Sequence, residues 1–168
     1  MTTTDETTVL TPGPAGPPRT LVSSTPHLMK RLAMLQKDRA MGAFEESGLT
    51  PYHYAVLTLL EEEPPETQAM IADALGYDRS HLVGLLDELE ERGLIERKRD
   101  PGDRRRHLVT LTPDGKRAAT KLRSIVRKLE GEFLTPLDDD ERQTLHRLLL
   151  RLARYHDPRY EAACQRDE

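Results

Sequence analysis

A chain of 168 residues is the length of one domain and is long enough to bury a core without disulfides or metals. It has no run of about 18 apolar residues to span a membrane and no basic start followed by an apolar core to mark a secretory signal, so a cytoplasmic protein is expected. The formal net charge of −4 hides an uneven distribution: residues 92–128 hold 13 basic and 4 acidic side chains, a net +9, and the remainder carries −13.

Residues 1–25 are rich in Thr, Pro and Gly and poor in large apolar residues, and read as a disordered tail. From Pro26 the pattern turns helical, with Leu28, Leu32 and Leu35 on one face, until Ser47 and Gly48 end the helix. Thr50 followed by Pro51 opens a second helix, which carries Ala55, Val56, Leu59 and Leu60 and stops before Pro64 and Pro65. A short helix over 68–75 has Thr67 as its cap and Gly76 as its stop. A helix from 79 follows, capped by Asp78, with Leu82, Leu85, Leu86 and Leu89 as its buried face. Beyond Gly93 the period changes: runs over 94–99 and 106–111 flank Asp100-Pro101-Gly102-Asp103 and predict a hairpin. Thr112-Pro113 restarts a long helix with Ala118, Leu122, Ile125, Leu129 and Phe133 on one face. Asp138 and Asp139 cap a last helix bearing Leu145, Leu148, Leu149, Leu152 and Tyr155, and 158–168 read as a polar tail.

Two helices joined by about three residues and followed by a hairpin make a winged helix-turn-helix, in which the second helix enters the major groove by its N-terminal residues. Those are Arg79, Ser80, His81 and Val83, and the hairpin tip offers Arg104, Arg105 and Arg106 to a narrow minor groove. The basic segment found by counting coincides with the DNA-facing elements found by pattern. Thr67, Gln68, Arg97 and Lys98 complete the candidate contact set. Gly84 has no side chain to read anything, so it serves either close packing or close approach to the DNA.

The stretches 67–76, 78–80 and 86–95, and above all Asp100-Pro101-Gly102-Asp103-Arg104-Arg105 with Leu111-Thr112 and Gly115, resemble the MarR family of winged-helix regulators over about residues 28–156. The resemblance implies a mainly α fold with a small β-wing: a winged helix-turn-helix at about 50–112 and dimerisation helices at about 26–47 and 113–156, in a single domain over 26–157. It implies a repressor that binds a pseudo-palindromic operator in double-stranded DNA as a homodimer. In the family the wing Arg, here Arg105, enters the minor groove, held by the acid that maps to Asp103. The apolar faces of the first and last helices point independently to self-association, being too large for one small winged domain to cover. MarR-like proteins commonly release DNA when a phenolic or lipophilic molecule enters a crevice between the dimer helices and the winged domain. The residues mapping there are His27, Met34, Tyr52, His53 and Arg123.

Competing readings are weaker. In redox-responsive members of the family the sensing cysteine stands in the first helix, whereas here the lone cysteine is Cys164, which also excludes an internal disulfide and a four-cysteine zinc site. The six histidines show no close ligand spacing, so neither a metal nor another cofactor is expected. A winged helix turned to protein binding would have lost its wing arginines. No phosphate loop, Gly-x-Ser-x-Gly or His-Glu-x-x-His motif supports an enzyme.

Overall fold

The computed structural model describes residues 16–62, 66–102 and 106–165. They form α1 (Arg19–Val22), α2 (Thr25–Phe44), a 3₁₀ turn (Glu45–Ser47), α3 (Pro51–Glu62), β1 (Glu66–Thr67), α4 (Gln68–Leu75), α5 (Arg79–Glu91), β2 (Ile95–Arg99), β3 (His107–Leu111), α6 (Pro113–Phe133), α7 (Asp139–His156) and α8 (Pro158–Gln165). The chain is mainly helical with a small wing, as expected.

Side-chain caps start most of these helices. Thr67 Oγ1 accepts from Met70 N at 3.3 Å, and Thr112 Oγ1 accepts from Gly115 N at 3.0 Å. Asp138 and Glu141 exchange side-chain and backbone bonds in a full capping box at the head of α7. α4 ends where Gly76 adopts φ 66°, a left-handed conformation that costs other residues strain, and the amides of Gly76 and Tyr77 close on Ala72 O.

The sheet has the order β1-β3-β2, all antiparallel. Ile95 lies opposite Leu111 and Arg99 opposite His107 across the wing, and the two-residue β1 pairs Glu66 with Val109. Against the sheet pack α3, α4, α5 and the first half of α6. The core holds Phe44, Val56, Leu57, Ile71, Leu82, Leu86, Leu89, Ile95, Val109, Ala119 and Leu122, all with almost no exposure. The helical 3.6 period of Leu82, Leu85, Leu86 and Leu89 places one full side of α5 in this core, and the opposite side is exposed.

Two segments read as tails carry structure. Arg19–Val22 forms one helical turn, with Ser23 Oγ donating back to Arg19 O at 3.1 Å. Residues 158–165 form α8 where a polar tail is predicted. Pro158 opens it, Asp157 Oδ1 accepts from Arg159 N at 3.1 Å, and Arg154 of α7 clasps Glu161 through two bonds of 2.6 and 3.0 Å. The wing-tip residues Asp103, Arg104 and Arg105 lie outside the described residues, as do 1–15 of the N-terminal tail.

Candidate nucleic-acid interface

α4 and α5 are joined by Gly76, Tyr77 and Asp78, the three-residue link expected of a helix-turn-helix. Asp78 caps α5 by accepting from Ser80 N at 2.8 Å and His81 N at 3.3 Å, and its Oδ1 also accepts a short bond from the Ser80 hydroxyl. That hydroxyl bond, with the two backbone amides, holds the Asp78 carboxyl below its ordinary range. Ser80 therefore spends its only hydroxyl proton on the cap, and in this arrangement it has none left for a phosphate and offers base edges acceptors only.

His81 lies edge-on to two tyrosine rings. Its centroid is 5.2 Å from that of Tyr52 and 5.9 Å from that of Tyr77, and the two tyrosines meet at 5.7 Å. This trio ties the head of α3 to the turn and to the first turn of α5. Arg79 and Val83 are exposed on α5, as a groove-facing role requires. Thr67 and Gln68 meet Arg106 and His107 across a groove of about 420 Å³, which also holds Ala69 and Met70. The N-terminus of α4 is thus brought beside the start of β3.

Arg97, one of the candidate contact residues, is engaged within the chain. Its guanidinium reaches Asp87 Oδ1 at 2.5 Å and Glu90 Oε2 at 3.5 Å, and its backbone N–H donates to Glu90 Oε1 at 3.1 Å. Two α5 carboxylates neutralise it, and its side chain is mostly covered, so it pins the wing strand to α5. Lys98 pairs with its neighbour Glu96 at 2.5 Å and stays largely exposed. Replacing Arg97 by Met is expected to weaken binding to duplex DNA without changing the dependence of log K on log salt. A phosphate contact would instead lower that slope by about one. Binding measured at four salt concentrations separates the two outcomes.

Of the residues mapped to an effector crevice, Tyr52 and His53 lie on α3, Arg123 on α6, and His27 and Met34 on α2. His53 is a core residue, 1% exposed. Its Nδ1 accepts the Thr50 backbone N–H at 3.1 Å, so the ring proton sits on Nε2, which faces Glu88 Oε2 of α5 at 3.2 Å. Tyr52 belongs to the aromatic trio at one end of α3. Arg123 of α6 pairs with Glu61 at the other end, about 14 Å further along at the helical rise. The Glu61 carboxylate and the Tyr54 hydroxyl hold the Arg123 guanidinium above its ordinary range. His27 is half-buried and Met34 exposed, both on α2. Sequence reasoning missed Glu88, Glu61, Asp87 and Glu90, the carboxylates that occupy His53, Arg123 and Arg97. Only the i, i+3 spacing of Asp87 and Glu90 on one helix was available as a signal.

Burial holds the His53 imidazole below the usual histidine range. Arg92 and His81 push the same way, and Glu88 opposes them. Because the folded value lies below the unfolded one, the folded state binds the proton less readily. The contribution is complete above about pH 6.5 and is lost as the pH falls through the folded value. Urea midpoints measured from pH 7.5 to 5 are expected to fall, and His53→Gln, which cannot titrate, is expected to fall less steeply over the same range.

Among the described residues no group of three His, Cys, Asp or Glu could hold a metal, and no helix is long and apolar enough to cross a membrane. Residues 47–106 match the model of the MarR family. A regulatory protein for the hcr operon of Thauera aromatica is 39% identical over 107 residues, a match that spans 64% of each chain and so less than two thirds of that relative's length. CouR of Rhodococcus jostii, a transcriptional repressor solved on a 23-mer DNA duplex, is 32% identical with a TM-score of 0.74, covering 79% of this chain and 94% of CouR. CouR has also been solved with p-coumaroyl-CoA. PcaV of Streptomyces coelicolor, solved with its natural ligand, is 31% identical with a TM-score of 0.68, covering 82% of this chain and 96% of PcaV.

Proposed function

The chain belongs to the MarR family of transcriptional regulators, and from that premise we propose that it is a repressor that binds a pseudo-palindromic operator as a homodimer and releases it when a small molecule binds. The observation that carries this reading is the exposed outer side of α5 set beside the basic wing strands, with the α4 N-terminus and Arg106 flanking them. In this reading the amides at the head of α4 and the basic residues Arg79, Arg99 and Arg106 bind phosphates and fix the register, and α5 reads base edges. Arg105 enters the minor groove, held by Asp103, and half-sites lie about one helical turn apart.

The homodimer rests on the apolar residues left uncovered on α2 (Leu28, Met29, Leu32 and Leu35) and, separately, on α7 (Leu148, Leu149 and Leu152). That CouR has been solved with p-coumaroyl-CoA and PcaV with its natural ligand supports a small-molecule effector, which in this reading is phenolic or lipophilic. Fluorescence anisotropy on DNA from upstream of the chain's own reading frame, against scrambled DNA at two salt concentrations, tests the reading. Preference for the upstream DNA with a steep salt dependence is expected. Equal, weak binding to both fragments counts against it.

A further inference from the structure

Resting on that DNA-binding reading, we infer that α5 reads a thymine methyl group through Val83, and that Gly84 is the point at which the helix backbone comes closest to the bases. The leucines of α5 turn Ser80, Gly84, Asp87 and Glu91 to the opposite, solvent side at the i, i+4, i+7, i+11 spacing of one helix face, and all four are exposed. The side chains around the middle of that face are already committed. The Ser80 hydroxyl is bonded to Asp78, and the Asp87 carboxylate holds Arg97. At the centre stands Gly84, and a Cβ built on it would meet nothing within 4 Å.

Glycine in a helix interior costs about as much as one lost packing contact relative to alanine. Neither a left-handed backbone nor a close neighbour accounts for it here, since its φ is not positive and the space outside it is open. Packing against another element of the described chain is thereby removed as an explanation, and close approach of an outside surface remains. Beside it Val83, 42% exposed, is a branched apolar side chain on a helix otherwise polar outside. It cannot hydrogen-bond a base edge. The one apolar feature that the major groove offers is the C5 methyl of thymine. A helix without a Cβ at its outermost point can sit deep enough to bring Val83 against that methyl.

The test uses the full-length protein and a library of random duplexes. Wild type is expected to enrich a palindrome with a thymine at one fixed position per half-site. Uracil substituted there removes only the methyl and is expected to lower affinity about fourfold, and Val83→Ala is expected to bind the thymine and uracil duplexes equally. Gly84→Ala is expected to raise the melting temperature of the protein by a few degrees while lowering operator affinity on the order of tenfold, the size of one lost base contact. Three results overturn the inference: no thymine position sensitive to uracil, a Val83→Ala protein as sensitive as wild type, or full affinity in Gly84→Ala. A wild-type selection that enriches no sequence overturns the DNA-binding reading itself, and this inference with it.

Discussion

Replacing Leu149 and Leu152 of α7 by aspartate is expected to give a monomer that keeps the winged-helix fold and loses operator binding. α7 runs for 18 residues, about 27 Å, yet none of its residues is buried. Its leucines are not scattered. Leu145, Leu148, Leu149 and Leu152 recur at i, i+3, i+4 and i+7, and the last three are each over 40% exposed. Such a face is stable in water only when something covers it. α7 and α6 flank an open groove of about 600 Å³, lined in part by Leu134, Leu145 and Leu149 and large enough to accept side chains from a second copy. Two carboxylates set into that face would have to be desolvated without partners, which is prohibitive in an apolar interface. The core residues of α3, α4, α5 and the sheet lie elsewhere and are untouched. Sedimentation should report the monomer mass, circular dichroism an unchanged helical content, and anisotropy a loss of at least about a hundredfold in operator affinity, because two linked half-site contacts become independent ones. Truncation after Asp138 removes the same face and is expected to give the same monomer. A double variant that still sediments as a dimer would refute the interface.

What could be read in the sequence was what is settled locally. Thr67, Asp78, Thr112 and Asp138 cap helices by bonds to amides two or three residues away, so the residue type at the right place suffices. The wing strands are legible to within one residue because turn chemistry and β-branched residues sit side by side. The same logic that opens α3 at Thr50-Pro51 and α6 at Thr112-Pro113 was present at Asp157-Pro158. α8 nonetheless escapes the apolar pattern because the segment is polar and its tie to α7 runs through the Arg154–Glu161 pair. β1 is two residues long and exists only because β3 offers an edge, which no local pattern announces. The site was less legible than the fold for a related reason. Counting charges placed Arg97 on the DNA side, but its partners Asp87 and Glu90 lie seven to ten residues away on another element. The resemblance maps His53 to a crevice, but position along the chain does not distinguish a histidine facing a cavity from one bonded to Thr50 and facing Glu88 from inside the core.

The sharpest contrast in the molecule is between two glycines, and it predicts opposite results for one substitution. At Gly84 a methyl group enters open space. At Gly115, buried in the first turn of α6, a Cβ would overlap the carbonyl oxygen of Leu94 and lie 2.7 Å from Leu111 Cδ1. That carbonyl cannot retreat, because it accepts the Thr112 N–H at 3.1 Å and lies 3.0 Å from Thr112 Oγ1, which also reaches Gly93 O at 2.8 Å. The collision is with backbone on one side and a packed leucine on the other, so relief requires α6 to move off the α5–β2 turn. The gain in helix propensity from glycine to alanine is about 1 kcal/mol, whereas overpacking against fixed atoms costs about 3 kcal/mol. The second wins, and a net loss of about 2 kcal/mol is a large fraction of the stability of a domain this size. Gly115→Ala is therefore expected to lower the urea midpoint and melting temperature clearly below wild type. Because β2 begins at Ile95, one residue beyond the displaced carbonyl, it should also weaken operator binding by moving the wing. Gly115→Ala melting at or above the wild-type temperature would show that the joint between wing and α6 is looser than its hydrogen bonds imply.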